Sequence, residues 1–212
     1  MSILPQLKEN KGTISSALGK SLAERLLNGE IEILDEAIDL IKNDDKNVRS
    51  GAAKIIEMVA EKKPEFIADH LEKLMSGLEV AEPQTRWMII HSFGYCAKLN
   101  PTISIKALGK AKDFLEANSG ACLWDRTILY LGDIGALSKE QAKEVFPILQ
   151  KALSAIPSQT KTILESFEKI MPMLGVQAKK MLLECVERHS TDSKSSVRNK
   201  EKKLSKRLKI EA

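Results

Sequence analysis

Thiol and imidazole side chains are the groups most suited to metal or covalent chemistry, and this sequence has few of them. Cys96, Cys122 and Cys185 are widely separated, and no CxxC pair occurs. Cys185 and His189 are four residues apart, which would place them on one helical face, but no third or fourth ligand lies nearby. HExxH, GxSxG and P-loop motifs are also missing. We therefore expect no metal site, no disulfide framework and no cofactor.

Two pairs of tryptophan and arginine are better candidates for binding. Arg86 precedes Trp87 directly, and Trp124 and Arg126 are separated by one residue. Both residue types are enriched where proteins contact their partners most strongly. The alternative is that the tryptophans pack between helices, because large aromatic side chains are highly buried on average, while the arginines stand at helix starts.

The basic end of the chain is a second candidate surface. The formal net charge is only +4, yet residues 194–209 hold eight Lys or Arg and a single Glu. The candidate binding residues in this segment are Arg198, Lys202, Lys203, Lys206 and Arg207. A capping helix with a polar outer face, a flexible solvated tail, an arm that contacts phosphates and a nuclear-targeting run all fit this pattern.

A fixed period organises the elements that must position these residues. Arg49 and Arg86 are 37 residues apart, and so are Pro64 and Pro101. Three, four, seven and ten residues after each arginine stand small or apolar side chains, an arrangement that forms one face of a helix. These positions are Ala52, Ala53, Ile56 and Val59, then Ile89, Ile90, Phe93 and Cys96.

A second apolar series recurs at nearly the same interval and predicts the other helix of each hairpin. Its members are Leu34, Ala37 and Ile41; Leu71, Leu74 and Leu78; Leu108, Ala111 and Leu115; and Phe146, Leu149 and Leu153. Later first-series helices fit with some slippage, through Ile128, Leu129, Gly132 and Gly135, then Ile163, Leu164, Phe167 and Ile170. Small residues such as Gly132 allow helices to approach closely. Stacked helical hairpins follow from this pattern, with prolines between helices.

The stretch "NDDKNVRSGAAKIIEMVAE" resembles the HEAT repeats of the HEAT and armadillo superfamily. The resemblance covers roughly residues 13–190 and implies an all-α, right-handed solenoid of about four hairpins. Flanking helices are expected from Thr13 to Leu27 and around Gln177 to His189. It also implies a ladder of acidic and arginine side chains that pair between neighbouring repeats. Asp45 and Arg49 would contribute to this ladder, and Glu82 and Arg86 would continue it.

Residues 121–135, "ACLWDRTILYLGDIG", suggest a more distant similarity to the HEAT-like bacterial alkylpurine DNA glycosylases. That family implies an Asp four places after a Trp, in a groove that binds DNA. Here Ile128 stands four places after Trp124, and Asp125 and Asp133 are out of position. The catalytic carboxylate is therefore missing, and with it a source of stabilisation for a positive charge on the sugar.

These observations predict a single repeat domain over residues 1–193, followed by a basic capping helix or flexible tail over 194–212. We expect a non-catalytic scaffold or adaptor that binds a protein partner on its concave face. The alternative is a nucleic-acid-binding protein related to the glycosylases, which would use the basic end. The sequence has no segment of 18 to 20 uncharged apolar residues, so we expect no membrane contact. The free cysteines predict a cytosolic location, or a nuclear one in a eukaryote.

Overall fold

Helices make up the regular structure of the chain. A computed structural model describes residues 2–10, 16–117 and 119–211, and within these ranges there is no strand. The chain divides into two compact units, residues 1–114 and 115–212. The helices of the first unit are Leu4–Glu9 (α1), Ser16–Leu27 (α2), Glu32–Leu40 (α3), Lys46–Lys62 (α4), Leu71–Leu74 (α5), Pro83–Tyr95 (α6), Pro101–Lys106 (α7) and Leu108–Glu116 (α8), the last of which reaches the boundary. Those of the second are Ala121–Gly135 (α9), Lys139–Ala155 (α10), Thr160–Ile170 (α11), Val176–Glu187 (α12) and Ser195–Glu211 (α13).

In the first unit, α2, α4 and α6 pack side by side, and α3 packs against α4. Residues 64–78 form an irregular helical segment of short 3-10 turns around α5. In the second unit, α9 packs against α10 and α11, and α13 packs against α11 and α12. Each unit is therefore built from hairpins whose neighbours cover their apolar faces. A single domain over 1–193 with a separate segment over 194–212 stays a prediction.

The predicted core positions are confirmed with two exceptions. All eight positions after Arg49 and Arg86, from Ala52 to Cys96, have no exposed surface. Leu115 and Leu129 are only half-buried, and Phe114 occupies the buried position beside Leu115. In α8, Leu108 and Ala111 are buried as predicted, and only the last buried position lies one residue earlier than the strict repeat predicts. The two flanking helices are α2 and α12, although Thr13 lies outside the described residues.

Prolines lie at helix ends, as the sequence predicted, and a short polar residue caps α4. α4 ends at Lys62 and Pro64 opens the next segment, while Pro101 occupies the first turn of α7. Proline is tolerated there because the first backbone N–H groups of a helix have no partner within it. The Asp45 carboxylate accepts a hydrogen bond from Asn47 N at 2.8 Å and caps α4.

The recurring arginine has a local structural reason. Arg49 Nη1 donates to the carbonyl oxygen of Asn43, six residues earlier, at 2.6 Å, and Arg198 Nη1 donates to that of Asp192 at 2.7 Å. Arg86 Nε contacts the carbonyl oxygen of Val80 at the same spacing. In each case the residue before the arginine is buried. The arginine therefore ties the start of α4, α6 or α13 to its preceding loop.

One rung of the expected ladder is present between α4 and the start of α6. Arg49 Nε and Nη2 donate to the two carboxylate oxygens of Glu82, both at 2.7 Å. Thr85 Oγ1 donates to Glu82 Oε1 at 2.8 Å. Burial raises the pKa of Glu82, but the hydrogen bonds from Arg49 and other donors outweigh it, so the net pKa lies below its usual value. Arg86 bonds to its own loop rather than to Glu82.

None of the helices in residues 2–10, 16–117 and 119–211 combines the length and the apolar character that crossing a bilayer requires.

Replacing Arg49 with Met should lower the free energy of unfolding by roughly 2–3 kcal/mol, because it leaves the Glu82 carboxylate, whose side chain is 10% exposed, without its bidentate partner. The control is Lys106→Met, which breaks the exposed pair between Lys106 Nζ and Glu72 Oε2 at 3.0 Å. Loss of this exposed pair should lower the free energy of unfolding by about 0–1 kcal/mol. Urea unfolding of both variants measures the difference, and equal losses would contradict a structural role for the rung.

Gly132 marks a close approach of α9 to α11. A Cβ at this position would lie 2.8 Å from Ser166 Oγ and 3.1 Å from Ser166 Cα. We expect Gly132→Ala to lower the free energy of unfolding by about 1 kcal/mol or more through overpacking. Gly109 in α8 is the control, because nothing lies within 4 Å of a Cβ there. Gly109→Ala should stabilise by about 0.5–1 kcal/mol. A stabilising Gly132→Ala would show that the helices do not touch there.

Candidate binding surfaces

Trp87 lies on α6, half-buried, on the face that α6 shares with α4. The Lys54 Nζ atom of α4 is 5.6 Å from the centroid of the Trp87 ring, which is a cation–π distance. The stem of Lys54 runs over Gly19 of α2, where an added Cβ would meet Lys54 Cγ at 2.8 Å. The Lys54 side chain therefore lies between Gly19 of α2 and the indole of α6.

Lys54 also belongs to an ion network with the buried Glu57 and His91. Glu57 Oε2 accepts from Lys54 Nζ at 2.8 Å, and Glu57 Oε1 is 3.0 Å from His91 Nδ1. Glu57 and His91 are both only 5% exposed, so the network is shielded from solvent. Burial raises the pKa of Glu57, but hydrogen bonds from His91 and Lys54 outweigh this and place it below its usual value. Glu57 is therefore an ionised acceptor in the folded state.

Aromatic and apolar groups continue the surface along α4 and α6. The rings of His91 and Tyr95 have centroids 4.2 Å apart. Tyr95 and Met58 are both half-buried, and they stand at equivalent positions of the two helices, 37 residues apart. We call Lys54, Met58, Trp87 and Tyr95 the α4–α6 surface, with His91 buried beneath it. Sequence reasoning found only Trp87; the signal it missed is the histidine inside the apolar run of α6.

Arg86 does not belong to the α4–α6 surface. Its Nε donates to the Val80 carbonyl, and its guanidinium carbon is 5.7 Å from the centroid of the Phe114 ring. Arg86 therefore joins its loop to α8. These contacts favour the interpretation of Arg86 as a helix-start residue over a role in binding a partner.

Trp124 and Arg126 lie in the second unit, at the start of α9. Trp124 Nε1 donates to the carbonyl oxygen of Ala117 at 3.2 Å, so its indole packs over the preceding loop. Arg126 Nη1 is 3.7 Å from the carboxylate of Asp125.

The two carboxylates near Trp124 are both engaged with α11. Asp125 Oδ1 accepts from Thr162 Oγ1 at 2.8 Å, and Asp133 Oδ1 accepts from Lys169 Nζ at 2.7 Å. Each joins one helix to the next, in place of the Arg–Glu rung of the first unit. These contacts give both acids a structural role.

The basic residues of the chain end lie on α13, which is an ordered helix packed in the second unit. Glu168 of α11 is surrounded by three of them: Lys200 Nζ at 3.1 Å, Lys203 Nζ at 3.1 Å and Arg207 Nη1 at 3.0 Å. Burial raises the Glu168 pKa, but the bonds from Lys203 and Lys200 dominate and lower it. Glu168 therefore secures this side of α13 to α11.

The remaining cations of α13 divide into two groups. Arg198 donates to the loop carbonyls of Asp192 and Ser193, and Lys209 Nζ is 2.8 Å from Glu187 Oε1. Lys202 and Lys206 are exposed, and the structure gives neither an ion pair within residues 2–10, 16–117 and 119–211. Of the predicted binding residues in this segment, Lys202 and Lys206 are those that remain open to a partner.

Cys185 and His189 do not gather a metal-ligand set. Gln150 Nε2 contacts Cys185 Sγ at 3.5 Å, and His189 Nδ1 is 3.8 Å from Asp192 Oδ2. Within the described part of the chain, no group of three or more His, Cys, Asp or Glu could hold a metal ion.

Comparison with known proteins identifies the fold. No family model matches the chain, and no curated protein matches it. Solved structures do match over nearly its whole length. An engineered protein from the Northeast Structural Genomics Consortium has a TM-score of 0.75 at 18% identity, with 99% of this chain and 100% of that chain covered.

Designed armadillo repeat proteins match as well. One, designed for modular peptide recognition, has a TM-score of 0.70 at 16% identity and covers 97% of this chain and 98% of that chain. Another, in complex with the peptide (KR)4, has a TM-score of 0.68 at 15% identity, with 98% and 99% covered. The chain therefore has a HEAT/armadillo-like repeat fold, an all-α fold of the solenoid class.

Proposed function

We propose that this protein is a non-catalytic repeat scaffold that binds a segment of a protein partner on the α4–α6 surface, with Trp87 as the anchor. The observation that carries this proposal is the half-buried indole of Trp87 beside the Lys54 ammonium, which is bonded to Glu57 of the buried Glu57–His91 pair. The similarity to designed armadillo repeat proteins, one of them in complex with a peptide, supports peptide binding as a use of this fold.

The buried ion network explains why Trp87 is suited to this role. Removing charges from water costs several kcal/mol per ion before their attraction is counted, so such a network is weak as a source of stability. Its effect here is to fix the Lys54 ammonium, which in turn contacts the indole face. A large side chain that is already ordered loses less conformational entropy when it binds, and rigid aromatic anchors dominate many interfaces.

The chemistry of the surface favours an apolar anchor on the partner. Lys54 already occupies the cation position next to the Trp87 ring, and Glu57 is already paired. The groups that remain half-exposed are parts of Trp87, Tyr95 and Met58, which offer aromatic and thioether contacts. We therefore propose a partner segment that places a large apolar side chain beside Trp87.

Nucleic-acid binding by a relative of the glycosylases has less support. Asp125 and Asp133 are structural ties to α11, and three cations of α13 are paired with Glu168. Binding of nucleic acid and a cytosolic or nuclear location stay predictions.

Selection of random 12-residue peptides displayed on yeast against the folded chain should enrich sequences with a large apolar residue. Synthesised forms of these peptides, measured by fluorescence anisotropy, should bind Trp87→Ala at least tenfold more weakly, a loss of about 1.4 kcal/mol. Trp124→Ala is the matched control and should retain binding, because Trp124 packs over its own loop. Trp87→Phe should recover part of the affinity. Peptides that bind Trp87→Ala and the unaltered chain equally would refute the proposal.

The stability that ionised Glu57 contributes should depend on pH. Because the Glu57 pKa is lowered on folding, its ionised form stabilises the protein above about pH 4.3, the usual value of a glutamate, and this contribution disappears as the pH falls through the folded pKa. Glu57→Gln should therefore be less stable than the unaltered protein at pH 6, with the gap narrowing below about pH 4. Urea unfolding at pH 6 and pH 3 measures it, with the exposed Glu72→Gln as control. If the difference in free energy of unfolding between the two proteins did not change with pH, Glu57 would not be ionised in the folded state.

A further inference from the structure

We propose that α13 carries a second binding surface, separate from the α4–α6 surface, whose occupant is an acidic amphipathic segment of a partner protein. The surface consists of the exposed side chains of Lys202, Lys206 and Ile210. We call it the α13 row. It differs from the α4–α6 surface in its charge and in the unit to which it belongs.

The packing of α13 fixes the direction in which the α13 row points. Val197, Leu204 and Leu208 are 0–2% exposed and form the stripe that packs against α11 and α12. Glu201 and Ser205 lie on the same buried side, and Ser205 Oγ donates to Glu201 Oε1 at 2.8 Å. Lys202 and Lys206, one turn apart on the opposite side, have Cβ atoms about 6 Å from each other.

The carboxylates near α13 neutralise its flanks and leave the row unpaired. Glu168 contacts Lys200, Lys203 and Arg207 on one flank, and Glu187 contacts Lys209 on the other. Like charges four residues apart destabilise a helix by about 0.2–0.5 kcal/mol per pair. Lys202 and Lys206 repel each other in this way, and no described carboxylate relieves the repulsion. An acidic partner would supply that relief.

The apolar end of the α13 row argues for a protein occupant. Ile210 is 77% exposed and lies one turn beyond Lys206, so carboxylates and an apolar side chain on one partner face could engage the row together. A phosphate backbone would leave Ile210 without a contact.

The proposal is tested with a fluorescein-labelled 16-residue amphipathic helix made of Glu and Leu, titrated with the full chain at 50 mM and 200 mM salt. The double variant Lys202→Glu/Lys206→Glu should bind it at least tenfold more weakly at 50 mM salt. The matched control is Lys139→Glu/Lys143→Glu, which makes the same charge change at the same spacing on exposed positions of α10. It should change affinity less than threefold. Ile210→Ser should weaken binding without changing the salt dependence.

Each other outcome would overturn the proposal. Equal losses of peptide affinity in the two double variants would show a general effect of the net charge of the protein. Tighter binding of a 20-base-pair DNA duplex than of the peptide, with a steep salt dependence, would assign the row to nucleic acid. Self-association in light scattering that Lys202→Glu/Lys206→Glu abolishes would assign it to a second copy, because α3 exposes Glu32, Asp35 and Asp39. No peptide binding below 100 µM would leave the row as solvated charge and refute the inference.

Discussion

The structure depends on the need of each helical hairpin to bury an apolar face that it cannot cover alone. α4 shows the constraint most clearly, because Ala52, Ala53, Ile56 and Val59 are all fully buried although the helix also carries Arg49, Lys54 and Glu57. Neighbours on more than one side are required, and α2, α3 and α6 supply them. When the helices stack, polar side chains on their remaining faces come to lie opposite residues of the neighbouring repeat, about 32 to 39 positions away in the sequence. Arg49–Glu82 and Lys200–Glu168 are two such pairs.

Those polar contacts differ between repeats although the apolar faces are alike. An Arg–Glu pair joins α4 to the start of α6, a Thr–Asp hydrogen bond joins α11 to α9, and lysines around Glu168 join α13 to α11. Hydrophobic burial is non-directional and supplies most of the driving force for stacking, so it sets the spacing of the helices without specifying the polar contacts. Different polar pairs can therefore form at the same backbone spacing. Polar positions are therefore where one repeat can acquire a surface that the others lack.

The two proposed surfaces illustrate this freedom. On the α4–α6 surface, buried charge is used to order an aromatic side chain, and the partner would contribute apolar contacts. On the α13 row, charge itself faces the solvent and the partner would contribute carboxylates. Both are supported by ion pairs. In one case Lys54 pairs with Glu57 within α4, and Glu57 contacts His91 of α6; in the other, Glu168 of α11 pairs with three cations of α13. In both, the packed helices would hold the binding groups in place before the partner arrives.

The sequence by itself determined the helical repeat, because burial of one helix face requires apolar residues at i, i+3, i+4 and i+7, and these can be counted without coordinates. It also determined that the chain end is basic and that Arg49 and Arg86 recur at a fixed interval. Only the tertiary structure decided which polar side chains meet. Glu57 and His91 are 34 residues apart, and their contact depends on the rotation and offset of α4 against α6. For the same reason, Arg86 and Trp87 are neighbours in sequence, yet one secures a loop and the other faces the α4–α6 surface.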